Sequence, residues 1–236
     1  MHNKKKLKVL SVDFDYFQKV NKETILECYP DGHDLGTELS CIVWAGRYSY
    51  QKNKLLKVKA DTKKIDELED IIRNMSYYSP IMVCNSHKHC YDFIENIYNS
   101  DKYEGIELVN IDMHHDLFND NEELDCGNWI GHVVKDFPCE VTWICNPISK
   151  DVYGIDSSEF TIVREDFSEI QYETFDALFL CRSDMWLPPH LDDKFQELFH
   201  YICENFSDVI KEKNIEIPRD VNSILNSIAT KKEKDV

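Results

Sequence analysis

The stretch KVLSVDFDYF, residues 8–17, places Asp13 and Asp15 at the end of an apolar, β-branched run. The run predicts a buried β-strand. Because alternate side chains of a strand share a face, the two aspartates should point the same way, with Cβ atoms about 7 Å apart. Two ionised carboxylates held this close repel each other, so a compensating positive charge is expected beside them.

Strand and helix patterns alternate along the rest of the chain. Further short apolar runs predict strands at residues 80–86, 106–113, 140–145, 160–166 and 176–183. Apolar residues at helical spacing predict helices at residues 61–75, 89–100, 126–137 and 190–206. This alternation implies a mostly parallel sheet covered on both faces, which is a three-layer α/β sandwich. We expect one domain over residues 1–236, with flexible tails at 1–6 and 230–236.

One segment, residues 20–56, is not assigned by pattern. Its first part, YPDGHDLG (residues 29–36), is rich in turn-forming residues, so Asp31, His33 and Asp34 are predicted to be turn residues. The following ELSCIVWAGRYSY, residues 38–50, fits either a strand or a helix.

Composition and charge exclude several classes of protein. The formal net charge of −17 argues against nucleic acid as a partner and suits a cationic substrate or bound metal ions. The chain has no apolar run of membrane-spanning length and no apolar stretch behind its basic start, so we expect neither a membrane span nor a signal peptide. The nine cysteines form no C-x-x-C pair, which predicts reduced thiols and a cytoplasmic location.

Metal-binding residue types follow the predicted strands at the sheet edge where α/β proteins place their sites. They are Asp13, Asp15, His87 or His89, Asp112, His114 and Asp116. Four carboxylates this close persist only by taking up protons or binding cations. The mixed oxygen and imidazole set suits two Mn²⁺ ions, with Zn²⁺, Fe²⁺ or Co²⁺ as alternatives. His115 alternates to the other side and is predicted to be structural.

Five segments together resemble the arginase–deacetylase superfamily. NIDMHHD (110–116) is similar to its D-x-H-x-D strand and LSVDFD (10–15) to its S-x-D-x-D strand. CNSHKH (84–89) resembles the strand that supplies an extra histidine, and DCGNWIGH (125–132) resembles the glycine–asparagine stretch of arginases. CRSDMWLPPHLDDKF (181–195) is most similar to a small arginase-like branch that includes the peptide arginases. Those enzymes hydrolyse arginine side chains within ribosomal peptides to ornithine and urea.

The resemblance implies a division of roles. One Mn²⁺ would be held by His87, Asp112, Asp116 and Asp13, and the other by His114 and Asp15 together with the shared Asp112 and Asp13. A hydroxide bridging the ions would attack the guanidinium carbon of the substrate.

Two further residues are implied by the same resemblance. His132 would carry a proton to the leaving amine. Asp184 would hold the guanidinium by charge-assisted hydrogen bonds.

Departures from ordinary arginases include the order of the motifs and the contacts for the substrate. The D-x-D strand precedes the D-x-H-x-D strand, so the motif order is permuted, which a parallel sheet tolerates if strand neighbours are preserved. The clamp for a small amino acid has no counterpart, which favours an arginine-containing peptide, or another guanidino compound, over free arginine.

Three alternatives stay open. A deacetylase-type amidohydrolase would use a single zinc ion held by Asp, His and Asp. A haloacid-dehalogenase-type phosphatase also begins with D-x-D, although Tyr16 and Phe17 stand where it prefers a small residue. A non-catalytic binding protein is the third alternative.

Overall fold

A central sheet organises the computed structural model, which describes residues 4–30, 34–118, 123–153 and 162–226. The strands among these residues are β1 (Lys5–Asp13), β2 (Gln18–Lys19), β3 (Lys59–Ala60), β4 (Ile81–Cys84), β5 (Tyr103–Asp112), β6 (Cys139–Cys145), β7 (Ile162–Arg164), β8 (Ala177–Cys181) and β9 (Val209–Lys211). The main sheet has the order β7-β6-β5-β1-β8-β4-β9, and each neighbouring pair is parallel. Strands β2 and β3 form a separate antiparallel pair.

The helices cover both faces of this sheet. They are α1 (Lys22–Cys28), α2 (Thr37–Leu55), α3 (Thr62–Ile72), α4 (His89–Ile97), α5 (Trp129–Asp136), α6 (Ser149–Tyr153) and α7 (Asp192–Asn205). Along β1, Leu10 and Val12 pack in a core with α3 and α7. The alternate residues Leu7 and Val9 pack in a second core with α4 and α5. This alternation confirms the predicted α/β fold with a parallel sheet between helices.

Helices α1 and α2 form a third cluster, which includes Met113 just after β5. The unassigned stretch 38–50 is therefore helical. Its buried residues Cys41, Trp44, Ala45 and Tyr48 have the i, i+3, i+4, i+7 spacing of a helix face. Leu39 and Ile42 are exposed apolar residues that obscure this spacing in the sequence.

Element boundaries differ from the predictions mainly at the chain ends. Strand β1 begins at Lys5, which pairs with Tyr103, so the flexible tail predicted at 1–6 includes two strand residues. Residues 1–3 and the predicted tail at 230–236 lie outside the described residues. In the described ranges, none of the helices has the length and apolar character needed to cross a bilayer.

Candidate metal centre

The carboxyl ends of three strands bring the predicted ligands together. Strand β1 lies between β5 and β8, and β4 lies beyond β8. Asp13 is the last residue of β1, Asp112 is the last residue of β5, and His87 lies between β4 and α4. The strands that end in Asp13 and Asp112 are thus direct neighbours.

The first group of ligands surrounds the Nδ1 atom of His87. This atom lies 3.1 Å from Oδ2 of Asp112, 3.1 Å from Oδ2 of Asp116 and 3.4 Å from Oδ2 of Asp13. It is buried and makes no hydrogen bond to the described residues, whereas Nε2 of the same ring lies 2.7 Å from Oγ of Ser11. A buried nitrogen that faces three carboxylates without a hydrogen bond fits a cation bound between them.

The second group surrounds the Nδ1 atom of His114. This atom lies 3.1 Å from Oδ2 of Asp15 and 3.7 Å from Oδ1 of Asp112. The two oxygens of Asp112 therefore face different imidazoles. Asp13, His87 and Asp112 form one group that could hold a metal ion, and Asp15, Asp112 and His114 form another.

Burial and mutual repulsion perturb the ionisation of several groups in this cluster. Burial and the neighbouring Asp13 carboxylate raise the pKa of Asp15 to about 7. Burial and Asp112 raise the pKa of Asp116 well above its usual range. Burial alone would lower the pKa of His87, but the facing carboxylates outweigh it and raise that pKa. Without a metal, protons must supply the compensating charge that a divalent cation would otherwise provide.

Local backbone structure sets the direction of each carboxylate. Strand β1 ends at Asp13 because its side chain accepts a hydrogen bond from the Asp15 amide and begins a 3-10 turn over Phe14–Phe17. Asp15 therefore reaches the cluster from this turn. Its spacing from Asp13 had predicted that both residues lie in one continued strand, which is not the case. Asp116 has a left-handed backbone, with φ 52°, and its Oδ2 accepts a hydrogen bond of 2.5 Å from Nε1 of Trp129. Backbone strain of this kind is typical of functional sites.

Four of the candidate ligands, Asp13, His87, His114 and Asp116, form part of the wall of a cavity of about 440 Å³. Asp34 and Asp125 line the same cavity, and no lysine or arginine is among its described lining residues. Burial raises the pKa of Asp34 to about 6. Much of the remaining wall is apolar or aromatic and includes Ile25, Leu26, Tyr29, Phe118, Tyr153 and Trp186. This lining suits a positively charged group that is carried on an apolar side chain.

The predicted residues His89 and His132 lie away from this cavity. His89 begins α4 and is partly exposed, with Nδ1 4.0 Å from Oδ2 of Asp92. The ring of His132, on α5, packs against Tyr91 of α4 at 6.2 Å between centroids. Of the two histidines proposed as ligand, the structure brings His87 to the cluster.

Asp184 is buried in an ion pair and does not line the cavity. Nε and Nη2 of Arg182 donate to its two oxygens at 2.5 and 3.0 Å, and Oγ1 of Thr37 donates at 2.6 Å. Burial alone would raise the pKa of Asp184, but Arg219 and Arg182 lower it, so the carboxyl group is ionised. A substrate guanidinium would have to displace Arg182, so this geometry gives no support to the binding role predicted for Asp184.

The sequence did not single out several residues that line the cavity. Asp34 was expected to be a turn residue, and Tyr153 carried no signal at all. Asp125 and Trp186 lie within the segments that resemble arginases, DCGNWIGH and CRSDMWLPPHLDDKF, which was the only available signal.

Paired alanine substitutions distinguish the two candidate histidine ligands. His87→Ala should lower Mn²⁺ affinity at least about 100-fold, because a direct ligand contributes more than the 10–100-fold of an outer-shell partner. His89→Ala removes the same side chain two residues away and should leave the affinity unchanged. Calorimetric titration of metal-free protein with Mn²⁺ measures both. A large loss in His89→Ala would contradict this assignment.

Comparisons of the chain with models of protein families, with curated proteins and with solved structures found no match. The resemblance of the motifs to arginases therefore stays a prediction. The buried aspartate and histidine groups and the cavity beside them are the features that bear on function.

Proposed function

We propose that the chain is a binuclear-metal hydrolase that cleaves guanidino groups, with arginine side chains of a peptide converted to ornithine and urea. One observation carries the proposal. Two imidazole Nδ1 atoms face separate sets of buried carboxylates that share Asp112, and both imidazoles line an acidic cavity. A single metal ion would leave the negative charge of one of these carboxylate sets uncompensated.

The residues of the two groups together fit a pair of Mn²⁺ ions, with one ion in each group. His87, Asp13, Asp112 and Asp116 would hold one ion, and His114 and Asp15 would hold the other together with Asp112 and Asp13. Carboxylate oxygens with one imidazole per ion suit Mn²⁺, and Zn²⁺, Fe²⁺ or Co²⁺ are compatible with the same donors. The position of β1 beside β5 supports an arginase-like arrangement with permuted motif order.

The cavity supports a cationic substrate. A pair of divalent ions, when bound, supplies hydroxide near neutral pH as the nucleophile for hydrolysis. Asp34 and Asp125 supply the negative charge that attracts and orients a guanidinium, and the aromatic wall excludes water around it. The α-carboxylate of free arginine would meet no cation among the described lining residues, whereas an arginine inside a peptide has no such group.

Replacing Asp34 by Asn tests the guanidinium-binding role. We expect the KM for an arginine-containing peptide to rise about tenfold or more, the scale of a lost charge-assisted hydrogen bond. Metal content should not change, because Asp34 belongs to neither ligand group. Steady-state kinetics of urea release measure the effect. Asp70→Asn, an exposed aspartate paired with Arg73 on the surface, is the matched control. An unchanged KM would exclude this role for Asp34.

The function is tested by metal stoichiometry followed by product analysis. Protein purified without chelators and supplied with Mn²⁺ should retain close to two equivalents by elemental analysis. It should then release urea from an arginine-containing peptide, and less from free arginine. One equivalent of zinc with deacetylation would favour the single-zinc amidohydrolase. Phosphate release with Mg²⁺ would favour the phosphatase, and two ions with no turnover would favour a binding protein.

A further inference from the structure

Tyr153 contacts one ligand histidine from the cavity side. Its hydroxyl oxygen lies 3.0 Å from Nε2 of His114, and the two ring centroids are 4.7 Å apart. Trp186 also contacts the imidazole, in an edge-on arrangement with a centroid distance of 5.4 Å. The imidazole is thus in contact with two aromatic rings of the cavity wall, one of which provides a polar partner.

The short helix α6 that carries Tyr153 is anchored to the backbone of the site. Oγ of Ser149 donates to the carbonyl oxygen of Met113 at 2.6 Å. Met113 stands between Asp112 and His114, and its amide donates to Oδ1 of Asp15 at 3.3 Å. Before the helix, Asn146 donates to the carbonyl oxygens of Tyr16 and Gln18 at 2.7 and 3.0 Å. These bonds fix the Tyr153 hydroxyl relative to the ligand-bearing segments.

The hydrogen bond between Tyr153 and His114 favours one tautomer of the His114 imidazole. A histidine that binds a metal through one nitrogen carries its proton on the other, and that N–H needs an acceptor. Nδ1 of His114 faces the carboxylates of Asp15 and Asp112, and with a metal ion bound there the proton would be on Nε2, which would donate to the oxygen of Tyr153. Without this acceptor, the other tautomer of His114 would become more populated. In that tautomer the lone pair is on Nε2 and points away from the carboxylates.

We propose that Tyr153 is a positioning residue that fixes the tautomer and ring plane of His114, and thereby the affinity of the ion held with Asp15 and Asp112. This inference rests on the proposed metal centre. The other imidazole, His87, has Ser11 as its separate polar partner, so the two ions should respond independently to loss of the Tyr153 hydroxyl.

Calorimetric titration with Mn²⁺ tests the inference on metal-free protein. Tyr153→Phe keeps the ring and removes only the hydroxyl, and it should weaken one of two binding events about tenfold or more while the other stays as in the wild type. Tyr29→Phe is the matched control, because Tyr29 lines the same cavity but its hydroxyl donates to Gln18. It should keep both affinities. The visible spectrum of the Co²⁺-loaded protein should change in Tyr153→Phe alone, which a merely structural effect would not produce.

A double variant shows whether Tyr153 acts through His114. In a His114→Ala background, Tyr153→Phe should cause no further loss of Mn²⁺ affinity, because the group on which the hydroxyl acts is absent. A further loss, or a single Tyr153→Phe variant that matches the wild type in both affinities and in its Co²⁺ spectrum, would overturn the inference and leave the metal centre intact. A wild-type protein that binds no divalent ion would instead overturn the proposed function, and this inference with it.

Discussion

Replacing Asp112 by Asn should abolish metal binding and hydrolysis together. The two oxygens of Asp112 face the Nδ1 atoms of His87 and His114, at 3.1 and 3.7 Å, so this carboxylate belongs to both ligand groups. An amide keeps one oxygen, carries no charge and directs an NH₂ group at one of the ions. We expect neither ion to be retained at stoichiometric level. Urea release should fall by a factor of about 10³ or more, since metal ions contribute several kcal/mol to such reactions.

The control for this variant is Asp136→Asn, the same change at an exposed aspartate on α5 that accepts a hydrogen bond from Tyr91. It should keep both ions and full turnover. Elemental analysis and the urea assay are applied to both proteins, after circular dichroism has verified that each is folded. If Asp112→Asn retained two equivalents of Mn²⁺, Asp112 would not bridge the ions and the ligand scheme would be wrong.

Arg219→Leu should lower the stability of the fold far more than the same change at an exposed arginine. Arg219 is buried, and its backbone and side chain donate to the Asp192 carboxylate, with Nε 2.9 Å and Nη2 2.5 Å from its oxygens. Its Nη1 and Nη2 also donate to the carbonyl oxygens of Asp184 and Leu187. Leucine would leave a buried carboxylate without its cation. We expect the free energy of unfolding to fall by about 3–5 kcal/mol, measured by urea denaturation.

Two further variants isolate the cause of this loss. Arg73→Leu makes the same change at an exposed arginine paired with Asp70, and should cost no more than about 1 kcal/mol. Adding Asp192→Leu to Arg219→Leu removes the unpaired charge and should recover part of the stability, although the two carbonyl oxygens stay without donors. An Arg219→Leu variant within about 1 kcal/mol of the wild type would show that this buried pair is not needed.

The sequence predicted those parts of the site that depend on local spacing. Asp112, His114 and Asp116 lie close together in the chain, and the end of a buried strand places them at the sheet edge whatever surrounds them. His87 and His89 could not be separated, because the turn that follows β4 decides which of the two rings reaches the cluster.

Long-range packing accounts for what the sequence did not show. Asp184 resembled a free acid at a strand end, but Thr37 and Arg219, which lie far from it in the chain, join Arg182 in burying it. Asp34 and Tyr153 reach the cavity only because α1, α2 and α6 pack over the sheet edge, and no residue pattern encodes that contact. The helix at 37–55 was ambiguous because its apolar residues do not all face inward.

The position of β1 has a consequence for biosynthesis. Val9 of β1 pairs with Leu108 on one side and with Ala177 on the other, so the ribosome makes this strand well before either partner. Contacts of such sequence separation form slowly, and an unpaired apolar strand is open to misassociation while the chain grows. Asp13 ends this strand and Asp15 follows it in the 3-10 turn, so their charge should oppose association of the strand with other apolar segments. The same carboxylates that could hold cations in the folded protein should thus also reduce misassociation of the nascent chain.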